Sequence, residues 1–427
     1  MKIQELLQHI RIGGIDEKLR VLYGSDETVL AAQRERYGKA VQRFAAAFPQ
    51  HDDVHIFSAP GRSEIGGNHT DHQHGCALAA AVNLDAVAVV AFHDEGMIRL
   101  MSEGYGLSEV SLDDLSVKDE EKGNSTAIVR GIAARFAQMG VKVGGFDAYT
   151  VSDVLSGSGL SSSAAFETLI GTIIDIQYND GKAGEIEIAK IGQYAENVYF
   201  GKGSGLLDQM VCSVGGFVFL DFRDTDDPRV EKHSFDFEKA GYNLCITDTR
   251  GSHSDLTDDY VAVPAEMKEV AAYFGKPYLR EVDEKAFFSA IPELHGKVSD
   301  RAILRAIHFF GENRRAIQEA DALERGDLER LFTLYRQSAD SSANLLQNLY
   351  STKKPLEQGI PLGIAVSKSF LGNDASVRVH GGGFAGTIQA FVPLEKTDAY
   401  REKMDALFGG GSCYVLRIRS VGGIKII

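Results

Sequence analysis

The chain has 427 residues, and its 45 lysines and arginines against 60 aspartates and glutamates leave a formal net charge of -15 at pH 7. This charge argues against nucleic acid or an anionic membrane as the main partner, and a hydrophobic content of 44% is typical of soluble globular proteins. No apolar run reaches the roughly 18 residues that a membrane helix needs, and the first residues lack the apolar core of a signal peptide. The length favours two lobes over a single core.

In chain order, the first 50 residues predict helices, because apolar residues recur three and four positions apart. The stretch VHIFSAPGR, residues 54–62, predicts a strand that ends in a Pro-Gly turn. Two further strands are expected over residues 77–102. A solvated, charged loop over 116–125 precedes a helix over 126–140 and a strand over 145–154.

A glycine-serine turn then leads into a long apolar helix that reaches residue 179, and a second helix covers 185–201. A strand over 215–224 precedes a polar stretch over 225–240, which predicts a loop and the boundary between two lobes. The second half predicts a strand over 243–249, at least three amphipathic helices between 260 and 350, and a strand-turn-helix unit over 376–393. The expected architecture is α+β, with lobes over residues 1–235 and 236–427.

The four cysteines, Cys76, Cys212, Cys245 and Cys413, are scattered and form no CxxC pair. This spacing suggests neither a zinc ribbon nor a disulfide scaffold, so we expect small core residues in a reduced, cytoplasmic protein. The sequence leaves the oligomeric state open and is compatible with a monomer.

The stretch SGSGLSSSAA, residues 156–165, combines a glycine turn with the start of a helix. Gly157 and Gly159 permit a tight turn, and the three serines at 161–163 fall where capping hydroxyls belong. Free backbone N–H groups and the helix dipole would suit a phosphate, although a serine-capped helix without a ligand has the same pattern. The Walker A and GxGxxG motifs are both absent, so any nucleotide is held by another class of loop.

A second glycine cluster, VHGGGFAG, covers residues 379–386. One such turn would be a simple bend. Two glycine-rich turns together with the APGR stretch indicate backbone segments that converge on one cleft.

Asp208 lies in an apolar, small-residue setting, GSGLLDQMVCSVGG. It is either a buried structural carboxylate or a general base or anchor for an attacking hydroxyl, and Arg62 is its natural partner. Glu196, twelve residues upstream on a helix, is either an exposed glutamate or an oxygen ligand for Mg²⁺.

The stretch GRSEIGGNHTDHQHG, residues 61–75, is rich in polar groups that could form a site. A transition-metal site is disfavoured, because His69, Asp71, His72 and His74 lack the helical i,i+4 spacing and have no cysteine nearby. The mixture of donors and acceptors fits the polar wall of a sugar pocket better.

Together these motifs resemble the galactokinase family of the GHMP kinases. GRSEIGGNHTDHQHG is similar, without gaps, to the galactokinase signature GRxNxIGEHTDYxxG, SGSGLSSSAA to the phosphate-binding motif, and RVHGGGFAG to the third motif. The segment SGLLDQMVCSVGG matches the one that carries the family's catalytic aspartate. The resemblance implies the α+β GHMP fold, in which an N-terminal lobe with a unit like ribosomal protein S5 faces a C-terminal lobe across the active site.

The resemblance also implies ATP and Mg²⁺, and phosphoryl transfer to the anomeric hydroxyl of a sugar. It makes Asp208 the base or orienting carboxylate, which Arg62 stabilises together with the transferring group, and it places Ser162 and Glu196 at Mg²⁺ positions. The implied nucleotide-binding residues are Gly157, Ser158, Gly159, Leu160, Ser161, Ser162 and Ser163, and those of the third motif are Gly381, Gly382 and Gly383. The candidate sugar-binding residues are Glu64, Asn68, His69, Asp71 and Tyr260.

The departures from the family's pattern concern the sugar wall. Asn68 replaces the glutamate that contacts the sugar's 6-hydroxyl, Glu64 replaces an asparagine, Gly66 an isoleucine and His72 a tyrosine. Galactose is the expected substrate, with Glu64 as the displaced carboxylate. Galacturonate is the main alternative, because Asn68 would not repel a 6-carboxylate.

Pentose and N-acetylhexosamine 1-kinases are further alternatives. A sugar-sensing regulator without turnover belongs to a different functional class. It is disfavoured because Asp208 and Arg62 are both present.

Overall fold

The computed structural model describes residues 1–154, 159–251, 256–372 and 374–427, which form two β-sheets covered by helices. The strands are β1 (His55–Gly66), β2 (Cys76–His93), β3 (Met97–Ser102), β4 (Leu107–Ser111), β5 (Gly145–Ser152), β6 (Phe217–Asp221), β7 (Arg229–His233), β8 (Tyr242–Asp248), β9 (Ser376–His380), β10 (Thr387–Pro393), β11 (Cys413–Leu416) and β12 (Ile424–Lys425). The helices are α1 (Ile3–Arg11), α2 (Asp16–Tyr23), α3 (Glu27–Ala47), α4 (Ser125–Gln138), α5 (Ser162–Tyr178), α6 (Gly184–Tyr194), α7 (Leu207–Val214), α8 (Thr257–Tyr273), α9 (Glu284–Leu294), α10 (Asp300–Arg325), α11 (Leu328–Ser341), α12 (Gly359–Leu371) and α13 (Thr397–Phe408).

The larger sheet has the strand order β12-β1-β2-β5-β3-β4, and β6 pairs with β2 and β7 with β6. Strands β3 and β5 are parallel, and the other neighbours are antiparallel. The long strand β2 is apolar on both faces because both faces are covered. Ala88 and Val90 belong to the main core that includes α4 and α5, whereas Val87 and Val89 pack in a second core with α1–α3.

The smaller sheet is antiparallel, with the order β11-β8-β10-β9. The C-terminal segment returns to the larger sheet, where β12 pairs with β1 through Phe57 and Lys425. The main core also joins the two sheets, since it includes Leu244 of β8 and Phe391 of β10. The proposed division at residues 235/236 stays a prediction.

Most of the predicted elements are present. The helices within the first 50 residues, strands β2, β3, β5, β6 and β8, helices α4–α6 and four helices between 257 and 341 agree with the sequence. All four cysteines are buried, as expected. Among the described residues, no helix is both long and apolar enough to cross a membrane.

Three local predictions are wrong. The expected Pro-Gly turn is part of β1, which passes through Pro60 and Gly61 with an irregular register between Pro60 and Arg62. The expected loop over 225–240 contains β7, which pairs with β6. The expected strand-turn-helix over 376–393 is the β9-β10 hairpin, because residues 387–393 pair with β8 on their other side and every position except the last is buried.

Candidate active site

One cavity of about 240 Å³ collects residues from all the motifs singled out in the sequence. Its wall is formed by β1 and the turn that follows it, the start of α5, the segment between α6 and α7, the start of α7, and the glycine turn after β9. The lining residues are Arg62, Glu64, Asn68, His69, Asp71, Ser163, Glu196, Lys202, Ser204, Gly205, Leu207, Asp208, Gln209, Gly381 and Gly382. The predicted convergence on one cleft is therefore present.

Asp208 and Arg62 form an ion pair at the centre of this wall. The Asp208 Oδ1 atom accepts a hydrogen bond from Arg62 Nε at 2.8 Å and lies 2.7 Å from Arg62 Nη2. Burial opposes the charge of Arg62, but the neighbouring Asp208 carboxylate holds the guanidinium pKa above its ordinary value. Asp208 keeps 35% of its side chain exposed, so the carboxylate can also reach a ligand.

The glycine-serine turn before α5 joins this pair through Ser161. The Ser161 hydroxyl donates to Asp208 Oδ2, and Arg62 Nη1 donates to the carbonyl of Gly159. Ser161 has a left-handed backbone, with φ of 57°, and its side chain does not cap α5. The prediction that this hydroxyl caps the helix is therefore wrong, and the amides of the first turn of α5 lack that cap.

The rest of the turn stands as follows. Leu160 is fully buried, and its carbonyl accepts from the Arg62 amide at 3.0 Å. Ser162 is the first residue of α5, and Ser163 lines the cavity. Gly157 and Ser158 lie outside the described residues.

The two glycine turns approach each other closely. A Cβ atom built on Gly381 would lie 4.0 Å from the Cα of Gly159, and one built on Gly159 would lie 3.3 Å from the His380 ring. Both glycines have positive φ, 67° at Gly381 and 74° at Gly159. The backbone of the third motif therefore faces that of the glycine-serine turn before α5.

Asn68 holds the sugar-signature turn against the third glycine turn. Its Nδ2 donates to Glu64 Oε1 at 3.0 Å and to the carbonyl of Gly381 at 2.8 Å. Its Oδ1 accepts from Asn348 Nδ2 at 3.0 Å. The residue is fully buried, so these protein groups use most of its hydrogen-bonding capacity. Its role as a sugar contact stays a prediction.

Glu64 is anchored from behind by a buried arginine. Arg378 Nη2 donates to Glu64 Oε1 at 2.6 Å, and its Nη1 donates to Ser338 at 2.8 Å. Burial raises the pKa of the Glu64 carboxyl above its ordinary value, against the opposing effect of Arg378. Both of the bonds to Glu64 use Oε1, and the residue lines the cavity, so its other oxygen is available to a ligand.

His69 and Asp71 complete the sugar-signature side of the cavity. The His69 Nε2 atom lies 3.0 Å from the carbonyl of Gly382, and burial lowers the pKa of the ring, which favours the neutral form. Burial raises the pKa of Asp71, and the nearby His69 opposes that shift. Asp71 faces Gly205, where a Cβ atom would lie 3.3 Å from its Oδ2.

Glu196 lies on a π-helical turn, Ala195–Phe200, that extends α6. Its Oε1 accepts from Lys202 Nζ at 3.0 Å and its Oε2 from Gln209 Nε2 at 2.8 Å. Gln209 also donates to Glu167 Oε2 at 3.0 Å, and burial, with Glu196 nearby, raises the pKa of Glu167 to about 8. Glu196 is 3% exposed, so the alternative of an exposed helix glutamate is wrong.

Several predicted or considered residues lie outside the cavity lining. Five of them belong to the two glycine turns, namely Gly159, Leu160, Ser161, Ser162 and Gly383, and the others are Tyr260, His72 and His74. Tyr260 donates to the carbonyl of Gly383 at 2.7 Å and packs behind the third glycine turn. His74 stacks on Tyr278, with ring centroids 3.7 Å apart, and His72 packs edge-on against His69. Within the described ranges, these histidines and Asp71 form no cluster with metal-ligand spacing.

Two family models match the chain. The galactokinase galactose-binding signature covers residues 42–92, and the GHMP kinases N terminal domain covers residues 127–216. The chain therefore carries the galactose-binding signature of galactokinases and the N-terminal domain of GHMP kinases. It is accordingly a phosphotransferase with an alcohol group as acceptor.

Several solved structures share the fold of this chain. The galactokinase of Lactococcus lactis, solved in complex with galactose, is 24% identical with a TM-score of 0.75, and the match covers 90% of this chain and 98% of that one. The mevalonate kinase of Methanococcus jannaschii is 14% identical with a TM-score of 0.61, covering 86% and 98%. The phosphomevalonate kinase of Streptococcus pneumoniae, solved with phosphomevalonate and AMPPNP, is 11% identical with a TM-score of 0.58, covering 87% and 99%.

Sequence reasoning missed some of the groups that complete this galactokinase-like site. Lys202 and Gln209 line the cavity beside Glu196, and Arg378 supports Glu64 from the β9 strand. The position of Gln209, one residue after Asp208, was an available indication. Lys202 lies on an irregular segment after the π-helical turn, and no motif marks it.

Proposed function

We propose that the chain transfers the γ-phosphoryl group of ATP to the anomeric hydroxyl of galactose. The observation that carries this proposal is the Asp208–Arg62 pair, which lies in one cavity with the signature turn and both glycine turns. Phosphoryl transfer depends mainly on positioning and on stabilisation of charge, and these groups supply both.

Asp208 would orient the attacking hydroxyl. Its Oδ1 is held by Arg62 and its Oδ2 by Ser161, so the carboxylate is fixed in place while part of it stays open to the cavity. The anomeric oxygen would form the new P–O bond as the bond to the β-phosphate oxygen breaks. ADP leaves with that electron pair, and the hydroxyl proton moves toward Asp208. Arg62 then offsets the charge on the transferring group.

The start of α5 would hold the phosphates of ATP. The first turn of this 17-residue helix faces the cavity through Ser163. Since Ser161 donates to Asp208 and not to the helix, the backbone amides of that turn can bind an anion together with the helix dipole. Gly159 and Gly381 let the two glycine turns approach closely enough to enclose it.

The residues around Glu196 fit Mg²⁺. Glu196 offers a carboxylate in the cavity, and among the described residues the buried Oε1 atoms of Glu167 and Gln209 have no hydrogen-bond partner. Burial and the nearby Glu196 raise the pKa of Glu167 to about 8, and a hard divalent cation at this position would favour the ionised form of both carboxyl groups. We assign Glu196 and Ser162 as the residues that would hold it. When bound, the ion would neutralise charge on the phosphates.

The charges of the cavity favour a neutral sugar over a uronic acid. Glu64, Asn68, His69 and Asp71 form the sugar-signature wall, which carries two carboxylates. The two cationic residues that line the cavity, Arg62 and Lys202, are already paired with Asp208 and Glu196. Arg378 is fully buried and already paired with Glu64. Two carboxylates about 4 Å apart repel by roughly 4 kcal/mol at an effective dielectric constant of about 20. Galactose, whose hydroxyls can donate to these carboxylates, fits better than galacturonate.

The test is a coupled ADP-release assay with Mg-ATP and a panel of galactose, galacturonate, arabinose, N-acetylgalactosamine and glucose. We expect turnover that is highest on galactose and is lost when Asp208 is replaced by Asn. Preference for galacturonate would overturn the substrate assignment. Binding of both sugar and ATP without turnover on any sugar would establish a binding-only protein instead.

A further inference from the structure

Three side chains outside the active site converge at the far end of the larger sheet. His51 Nε2 lies 2.7 Å from Asp147 Oδ2, and His93 Nε2 lies 3.1 Å from Asp147 Oδ1. The two imidazole rings are nearly parallel, with an interplanar angle of 8° and centroids 5.7 Å apart. We call these three residues the Asp147 cluster.

The Asp147 cluster is held by three separate elements. His93 is the last residue of β2, and Asp147, on β5, pairs with Ala91 of β2, two positions before His93 on the same face. His51 belongs to the segment between α3 and β1. The elements themselves bring the three side chains together, because the two strands are hydrogen-bonded neighbours and the segment packs over them.

The ligand atoms have the spacing of a metal site. One nitrogen from each histidine and one carboxylate oxygen all lie within 4.8 Å of one another. In the described ranges, no other group of three residues drawn from histidine, cysteine, aspartate and glutamate meets that spacing. Asp147 is fully buried, whereas the side chains of His51 and His93 are 18% and 11% exposed. The histidine side of the cluster is therefore open to an ion and to water.

We propose that the Asp147 cluster binds one divalent transition-metal ion of the Zn²⁺ class. Two imidazole nitrogens and one carboxylate form a ligand set that Zn²⁺ and Co²⁺ accept and that Mg²⁺ does not prefer. In the bound form each Nε2 gives its lone pair to the ion, and the ring proton resides on Nδ1. Water completes the coordination from the exposed side.

Two neighbouring side chains donate hydrogen bonds to Asp147, and one of them also carries a positive charge that opposes metal binding. Gln50 Nε2 donates to Asp147 Oδ2 at 3.0 Å, and Arg99 Nη1 donates to Asp147 Oδ1 at 3.2 Å. Both hold the carboxylate in place, as supporting groups do around metal ligands. The charge of Arg99 also repels a second cation, so it limits the affinity.

The ion would connect the segment before β1 to the edge of β2 and β5. The cluster is at the opposite end of β2 from Cys76, which follows the signature turn that lines the active-site cavity. Binding at the Asp147 cluster should therefore stabilise the fold without changing the rate of phosphoryl transfer.

Titration of the full chain with Co²⁺, followed by visible absorption, tests the proposal directly. We expect one tightly bound Co²⁺ per chain with the intense absorption of a tetrahedral site, and competition by Zn²⁺. His51→Ala and His93→Ala should each weaken binding by at least the roughly 10- to 100-fold that loss of a supporting group costs. His55→Ala, which removes a histidine of β1 outside the cluster, is the matched control and should bind normally.

The Arg99→Gln variant distinguishes a metal site from a cluster that only forms hydrogen bonds. It should strengthen Co²⁺ binding several-fold, because it removes the competing cation and keeps a donor for Asp147. Zn²⁺ should raise the midpoint of thermal unfolding of the unmodified chain but not of the His51→Ala variant, which lies outside the strands and should fold. Absence of saturable Co²⁺ binding, or binding that survives both histidine variants, would overturn the proposal.

Discussion

Asn68 donates a hydrogen bond from Nδ2 to Oε1 of Glu64, at 3.0 Å, inside the galactose-binding signature. The resemblance places a glutamate at position 68 and an asparagine at position 64, so the two residue types are exchanged in this chain. The contact shows that the exchanged residues form one pair. A carboxylate is thus kept on the signature side of the cavity, where it projects from β1 and is paired with Arg378.

Replacing Asp208 by Asn should abolish most of the activity. The change removes the charge that pairs with Arg62 and the carboxylate that orients the hydroxyl, so we expect kcat to fall by roughly 10²- to 10⁴-fold. The coupled ADP-release assay measures the loss, and Asp180→Asn, an exposed carboxylate paired with Lys182, is the control. A fall of less than about tenfold in a folded variant would remove Asp208 from the mechanism.

Arg62→Lys should also impair catalysis although it keeps the charge. The guanidinium contacts Asp208 through two nitrogens and Gly159 through a third, and a lysine cannot reproduce this planar arrangement. We expect kcat to fall by about 10²-fold or more, with a smaller change in the KM for galactose. Arg325→Lys, at the surface, is the control. If Arg62→Lys lowered kcat no more than this control does, the charge at position 62 would be sufficient and the planar arrangement would not matter.

Asp71→Asn should change the selectivity between sugars. It removes one of the two carboxylates of the sugar wall and keeps the size of the side chain, so an anionic sugar meets less repulsion. We expect the ratio of kcat/KM for galacturonate to that for galactose to rise at least about tenfold. Asp119→Asn makes the same charge change at an exposed position and should leave the ratio unchanged. An unchanged ratio in Asp71→Asn would mean that the sugar's sixth carbon points elsewhere.

Gly66→Ala should destabilise the fold through a residue that is distant in sequence. A Cβ atom at position 66 would lie 1.6 Å from Oε2 of Glu319, whose side chain is fully buried in α10. We expect a loss of about 1–3 kcal/mol in the free energy of unfolding, measured by urea denaturation. The double variant with Glu319→Ala should recover part of this loss, and purely additive effects would contradict the contact.

His308 should make the fold sensitive to mild acid. It is fully buried between Ser341 and the carbonyl of Asn68, and burial lowers its pKa from 6.5 to about 4. Between about pH 6.5 and 4, His308 is protonated in the unfolded chain but neutral in the folded chain. The free energy of unfolding therefore falls as the pH drops from about 6.5 to about 4. The shift corresponds to about 3 kcal/mol.

The measurement is the free energy of unfolding at several pH values for the unmodified chain and for His308→Gln. The variant should show a shallower loss over this range. His295→Gln, at an exposed histidine, should keep the original slope. Some acid sensitivity should remain at lower pH because of Glu312. Burial would raise the pKa of this carboxyl group, but Arg315 and other charges lower it to about 2. The stability that ionised Glu312 contributes is therefore lost between about pH 4.5 and 2.

The sequence by itself determined the parts of the site that depend on local chemistry. Asp208 and Arg62 are paired as expected, and the serines after Gly159 start a helix, because turn residues, helix starts and apolar periodicity are properties of short segments. The same local patterns determined most strands and helices. They were wrong for residues 387–393, where a strand forms because β8 and β9 are both available as partners.

Only the tertiary structure decided which side chains of the signature line the cavity and which have their hydrogen bonds taken up by other protein groups. Asn68 and His72 have similar polar character in the sequence, but Asn68 bonds to Glu64, Gly381 and Asn348, and His72 is outside the cavity lining. Position 66 likewise holds a glycine where a Cβ atom would overlap the side chain of Glu319. Apart from Glu64, these partners lie more than 200 residues away in the sequence. A buried polar group has to pair with a polar group that the fold places beside it, and the local sequence does not contain that information.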